Sequence, residues 1–130
     1  MAPTRQERKE SITVMRKKQI LDAAFKVFSE KGFATGTTAE IAKLSGVAEG
    51  TIYNYFESKR DLFVSVIQNL IMDVSLLDMI DQLPKGDINT TFESILKTME
   101  LFLIDLLTLL QFITDFYDAF GTFETDTLLL

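Results

Sequence analysis

From Arg16 onward, apolar residues recur three and four positions apart, and nowhere does the chain show the apolar–polar alternation of a half-buried strand. Ile20, Ala24, Val27 and Phe28 carry the first such pattern, with Lys17, Lys18, Asp22, Lys26 and Glu30 between them. That spacing gathers the apolar set on one face of a helix and the charges on the other. Gly32 then stands where a helix C-cap glycine belongs, with Lys31 in the last turn. A chain patterned in this way folds as packed helices, so the expected class is all-α.

The rest of the chain repeats the signal in shorter and longer pieces. In "TTAEIAKLSG", Thr37 and Glu40 form a capping-box pair opening a short helix whose apolar side is Ile41, Ala42 and Leu44. Gly46 stops it, and Val47 re-enters the core. A third short helix is expected from about Ala48 to Phe56, and Ser58 caps a fourth with Leu62, Phe63, Val66, Ile67, Leu70 and Ile71 as its buried stripe. "LPKGD", Leu83 to Asp87, is the clearest breaker. Thr90 and Glu93 then repeat the capping pattern ahead of a helix to about Phe120, in which Phe92, Ile95, Leu96, Met99, Leu103, Leu106, Leu107 and Leu110 make a wide apolar face. The final "DTLLL" has no cap or polar tail; either partner chains cover the apolar helix or the sequence is a fragment of a longer protein.

Composition narrows the chemistry. The 130 residues contain no Cys and no His, which removes disulfides, thiolate metal sites and the commonest general base, and argues against an enzyme. No cofactor is expected. The charges divide: residues 1–60 carry eleven Lys/Arg against seven Asp/Glu, a balance of +4, and residues 61–130 carry two against twelve, a balance of −10. The asymmetry points to an anionic partner for the front half, unless both sets simply solvate helix faces. The first sixteen residues lack the apolar stretch of a secretory signal. "LFLIDLLTLLQFI", Leu101 to Ile113, is shorter than the roughly 20 residues of a membrane span. A soluble, cytoplasmic protein with no membrane partner is expected.

Two short helices separated by "SGV" make a helix–turn–helix, whose second member lies in the DNA major groove. Within it Ile52 and Phe56, four apart, face inward with Val47, leaving Gly50, Thr51, Tyr53, Asn54 and Tyr55 outward or on the flank. Gly50 lets backbone approach the groove floor. Thr51 offers a hydroxyl to a base or phosphate and a methyl to thymine. Tyr53 and Tyr55 carry hydroxyls on stiff arms suited to phosphate oxygens. Asn54 suits a bidentate contact to adenine, or a sugar contact only. Lys59, beside the start of the fourth helix, suits a phosphate, as do the hydroxyl and nearby N–H groups of Thr37.

"ILDAAFKVFSEKGF", "TTAEIAKLSGV" and "GTIYNYFESKRDLF" together resemble the three linked blocks of the N-terminal domain of TetR-type transcriptional regulators, over about residues 16–67. The resemblance implies a sequence-specific DNA-binding regulator, a repressor released from double-stranded operator DNA by a small apolar or amphipathic molecule. It also implies a homodimer, with half-sites about 34–36 Å apart, and a fourth helix linking ligand pocket to DNA-reading head. The expected organisation is a basic arm over 1–15, a helix–turn–helix domain over 16–57, the linking helix over 58–74 and an incomplete helical regulatory domain over 75–130. The candidate DNA surface is Thr37, Thr38, Ala48, Glu49, Gly50, Thr51, Tyr53, Asn54, Tyr55 and Lys59.

Departures from the family pattern fall at the start of the third helix. Ala48 stands where Ser is common, losing a cap worth roughly 1 kcal/mol. Glu49 follows where a basic residue is common; it repels phosphate unless it accepts from cytosine N4, so it is a specificity reader or, on balance, a bystander. The basic cluster Arg5, Arg8, Lys9, Arg16, Lys17 and Lys18 is either a solvated arm or a second contact to the DNA backbone or minor groove. Met99, Phe102, Phe112, Phe116 and Phe120 are candidate ligand-pocket residues, although a stripe at this spacing is usually plain core. Asp105 and Asp115 are expected to be exposed. The competing reading is an all-helical module whose basic front binds a protein or an acidic membrane surface.

Overall fold

The computed structural model describes residues 2–73 and 88–121. The "LPKGD" breaker and the "DTLLL" end lie outside the described residues. Every regular element among the described residues is helical: α1 (Arg5–Thr35), α2 (Thr38–Ser45), α3 (Glu49–Tyr55), α4 (Lys59–Asp73) and α5 (Ile88–Phe120). The chain divides into two compact units, Met1–Val66 and Ile67–Leu130, with the boundary inside α4.

In the first unit α1 begins at Arg5, well ahead of the expected Arg16. The stretch expected to be a frayed arm is helical because Thr4 and Glu7 close a full capping box. Thr4 Oγ1 accepts from the Glu7 N–H at 3.2 Å, and Glu7 Oε2 accepts from the Thr4 N–H at 3.1 Å. From Ile20 the helix turns its apolar face inward as its spacing predicts, burying Ile20, Ala23, Ala24, Val27 and Phe28. At Gly32 (φ 76°, ψ 172°) the backbone leaves helical geometry, in a region that essentially only glycine occupies. The bend sets Phe33 against Phe28 and Phe63, with ring centroids 5.9 and 5.0 Å apart, while Phe28 and Phe63 meet edge to face at 5.0 Å. Ile41, Ala42, Ile52, Phe56, Leu62, Phe63, Val64 and Val66 complete this core.

Leu44 departs from expectation: it is about half exposed, in the last turn of α2, whose buried residues are Thr38, Ile41 and Ala42. Val47 is half-buried. Ser58 caps α4 as its position predicts, accepting from the Asp61 N–H at 3.0 Å, and the Asp61 carboxylate accepts from the Glu57 N–H at 3.0 Å.

In the second unit α5 contains Thr90 inside the helix and not at its cap. Gly121 (φ 81°) closes the helix, its N–H donating to the Tyr117 carbonyl at 2.7 Å. Among the described residues of α5, Leu109, Phe112 and Phe116 are buried, and Ile95, Phe102 and Leu106 are among those half-buried. Much of the wide apolar face expected here is exposed: Phe92, Leu96, Met99, Leu103, Leu107 and Leu110 all lie outward. The reason is that α5 is apolar over most of its circumference, so periodicity gives its width and not its direction.

Candidate nucleic-acid interface

The turn between α2 and α3 is built on Gly46. Its φ of 77° and ψ of 21° are left-handed, and the Val47 N–H closes back on the Ala42 carbonyl at 3.1 Å, the six-to-one bond of a Schellman closure. At the other end of α2, Thr37 Oγ1 accepts from the Glu40 N–H at 3.1 Å. The Glu40 carboxylate does not complete a capping box; it lies 3.2 Å from the Thr37 hydroxyl and pairs with Lys31 on α1. The Lys31 hydrogen bond, aided by the Thr37 hydroxyl, holds the Glu40 carboxyl below its ordinary value against the opposing effect of desolvation.

α3 is held from beneath. Ile52 is 1 % exposed and Phe56, at its C-terminal boundary, 6 %. Burying the two stabilises the docked helix by roughly 1.5–3 kcal/mol each, which a seven-residue helix requires, since it is too short to persist alone. Its opposite surface is open. Ala48, Glu49, Gly50, Tyr53 and Asn54 are exposed, and Thr51 and Tyr55 are half-buried. Ala48 occupies the N-cap without a side-chain bond, and the Thr51 N–H bonds to its carbonyl at 2.9 Å. A Cβ at Gly50 would meet no atom within 4 Å, so the gap there faces outward.

Three candidates sit differently from expectation. Thr38 is buried, and its hydroxyl donates to Glu49 Oε1 at 2.7 Å and lies 3.3 Å from the Tyr53 hydroxyl, so it braces α3 against α2 and does not face outward. Glu49 is thereby part of a network and not an isolated surface charge. Lys59 is half-buried, with Nζ 4.4 Å from the Phe33 ring centroid, a cation–π contact tying the start of α4 to the end of α1. Thr37 remains exposed. The sequence placed Glu49 and Tyr53 four apart on one face of α3; that both converge on Thr38 depends on the angle of the Gly46 turn, which spacing alone does not give.

The N-terminal cations Arg5, Arg8, Lys9, Arg16, Lys17 and Lys18 are all exposed along the first half of α1. Of the candidate pocket residues, Phe112 and Phe116 are buried, Phe102 and Phe120 half-buried, and Met99 exposed; the Phe116 and Phe120 rings pack at 4.8 Å. Among the described residues no group of His, Cys, Asp or Glu is arranged to hold a metal, and no helix is long and apolar enough to cross a membrane.

Comparison with known proteins bears on the same segment. The family model "Bacterial regulatory proteins, tetR family" matches residues 20–66. The fatty acid metabolism regulator protein of Bacillus subtilis (strain 168) is 46 % identical over 50 residues, 38 % of this chain and 26 % of that protein. The HTH-type transcriptional regulator AcrR of Shigella flexneri is 40 % identical over 63 residues, 48 % of this chain and 27 % of that protein. The matches thus span about a quarter of those relatives' own lengths. A solved structure from Mesorhizobium loti MAFF303099, described as a TetR-family transcriptional regulator, shares the fold with a TM-score of 0.66 at 22 % identity, covering 90 % of this chain and 57 % of that one. Residues 20–66, with their two helices set across a glycine turn, are thus similar to the DNA-binding segment of the tetR family of bacterial regulatory proteins.

Proposed function

We propose that this protein is a sequence-specific DNA-binding transcriptional regulator that presents α3 to the major groove of double-stranded operator DNA. The observation carrying the reading is the two-sidedness of α3: Ile52 and Phe56 are buried while Gly50, Tyr53 and Asn54 face out. Thr51 and Asn54 are the candidate base readers; Thr37, Tyr55 and Lys59 are candidate backbone contacts. The exposed cations of α1 add a sequence-independent attraction to phosphate.

The protein works as a homodimeric repressor released by a small apolar or amphipathic molecule. This part of the reading is supported by the match of residues 20–66 to the tetR family model and by the phenylalanine-rich apolar side of α5, on which Phe112, Phe116 and Phe120 lie. The test is selection from random duplex at low salt, followed by titration of the selected and random duplexes across salt concentrations. A repressor binds the selected duplex at least about a thousandfold more tightly, and both affinities fall steeply with salt. Equal affinity for all duplexes refutes the reading and favours a protein- or membrane-binding module.

A further inference from the structure

Thr38 has a single hydroxyl proton and two claims on it. Glu49 Oε1 lies at 2.7 Å and the Tyr53 hydroxyl at 3.3 Å. A carboxylate only accepts, so the Thr38 proton goes to Glu49. Thr38 Oγ1 is then left as the acceptor, and the bond to Tyr53 exists only if the phenol turns its own proton inward. In this arrangement the Tyr53 oxygen presents lone pairs to its surroundings and keeps its proton turned away from a phosphate oxygen. The carboxylate beside it, exposed at the first residue of α3, repels phosphate as well.

We propose that Glu49 is a specificity-determining residue. Through Thr38 it fixes the Tyr53 hydroxyl as an acceptor, suppressing sequence-independent phosphate binding and favouring exocyclic amino groups, cytosine N4 or adenine N6, on the major-groove edge. Tyr53 then contributes to base choice, not to the uniform backbone contact its residue type suggests. Glu49 and Tyr53, four apart on α3, act as one unit because both meet the buried Thr38.

The inference rests on the DNA-binding reading above and is tested with the full chain. Glu49→Gln keeps the size of the side chain while supplying an amide that can donate to Thr38. The Thr38 proton is then free to turn to Tyr53, and the phenol to donate outward. The expected result is a roughly two- to tenfold gain in affinity for random duplex, a smaller gain or a loss on the selected duplex, and so a reduced ratio between them. In a Tyr53→Phe background, which has no phenol proton to release, Glu49→Gln gives a clearly smaller gain on random duplex. Tyr53→Phe alone weakens the selected duplex more than the random one. Equal effects of Glu49→Gln in the two backgrounds overturn the proton relay, leaving only charge repulsion. An unchanged ratio, or equal weakening of both duplexes with the fold intact by circular dichroism, overturns the specificity role. A wild-type chain with no preference among duplexes refutes the DNA-binding reading itself, a separate outcome.

Discussion

Gly50 separates stability from function, because the same added methyl acts on each in an opposite direction. It lies in the first turn of α3, in helical geometry, and an added Cβ would meet no protein atom within 4 Å. Alanine in a helix interior is favoured over glycine by about 0.8–1.0 kcal/mol; so close to the helix start, about half of that is realistic. Gly50→Ala therefore raises stability by roughly 0.5 kcal/mol, a rise of roughly 2–4 °C in Tm for a domain of this size. If the open side of Gly50 is where backbone meets the groove floor, the same methyl must be accommodated between protein and bases. A loss of about 1.4 kcal/mol there is a tenfold weaker Kd. Thermal melts followed by far-UV circular dichroism measure the first effect, and titration of the selected duplex the second. A variant that is more stable and binds as tightly as wild type refutes the placement of α3 against the groove. A variant that is less stable refutes the helical geometry at Gly50.

Other glycines fail for different physical reasons, which substitution separates. Gly46→Ala meets no atom but must hold a left-handed φ, costing about 1–2 kcal/mol, while Gly46→Asn costs less; equal losses in chemical denaturation contradict a conformational cause. Gly36→Ala has ordinary φ, yet its Cβ would lie 2.9 Å from the Gly32 carbonyl oxygen and 3.0 Å from Val27 Cγ1, so overpacking of roughly 1–3 kcal/mol is expected; a neutral result shows that the bend at Gly32 yields. The Lys31–Glu40 pair gives a pH dependence. Because the folded carboxyl is held low, its contribution is present above the ordinary carboxylate range and is lost as pH falls through the lowered value. The stability gap between wild type and Glu40→Gln accordingly closes in acid and shrinks with salt, the pair being exposed; a gap constant with pH excludes the pair as its source.

How much was legible in advance depended on whether a local rule had a competitor. Ile20, Ala24, Val27 and Phe28 are buried as their spacing predicts because α1 carries charge on the opposite side there, so only one face can turn inward. Gly32 and Gly46 adopt positive φ because nothing else in those stretches can. The start of α1 lies ahead of the apolar spacing that marks the helix, because Thr4 and Glu7 cap a first stretch that buries no apolar face. The direction of α5 was not legible at all: with leucine and phenylalanine on nearly every side, its buried residues are chosen by what packs against it. The same holds for Thr38, whose sequence position marks a helix start but whose hydroxyl partners come from another helix.

The placement of poor helix formers in α3 follows from where its stability comes from. Gly50, Tyr53, Asn54 and Tyr55 would not sustain a helix by propensity, and Ala48 adds no side-chain cap. The helix is nevertheless fixed, by Ile52 and Phe56 below, by the Gly46 turn behind, and by Thr38 at the side. Stability drawn from Ile52, Phe56 and the Gly46 turn does not depend on what Gly50, Thr51 and Asn54 contribute, whereas the Thr38 brace uses Glu49 and Tyr53 themselves. Residues at positions 50, 51 and 54 are then free to be chosen for the hydrogen bonds they offer, even where they weaken the helix. The same division explains Lys59: resting on Phe33, it is anchored by the aromatic cluster that joins α1 to α4, which holds its charge in a defined place near the proposed DNA surface. A rigid support beneath, with Gly50, Thr51 and Asn54 left out of the brace above, is the arrangement that lets one short helix change its target without changing its fold.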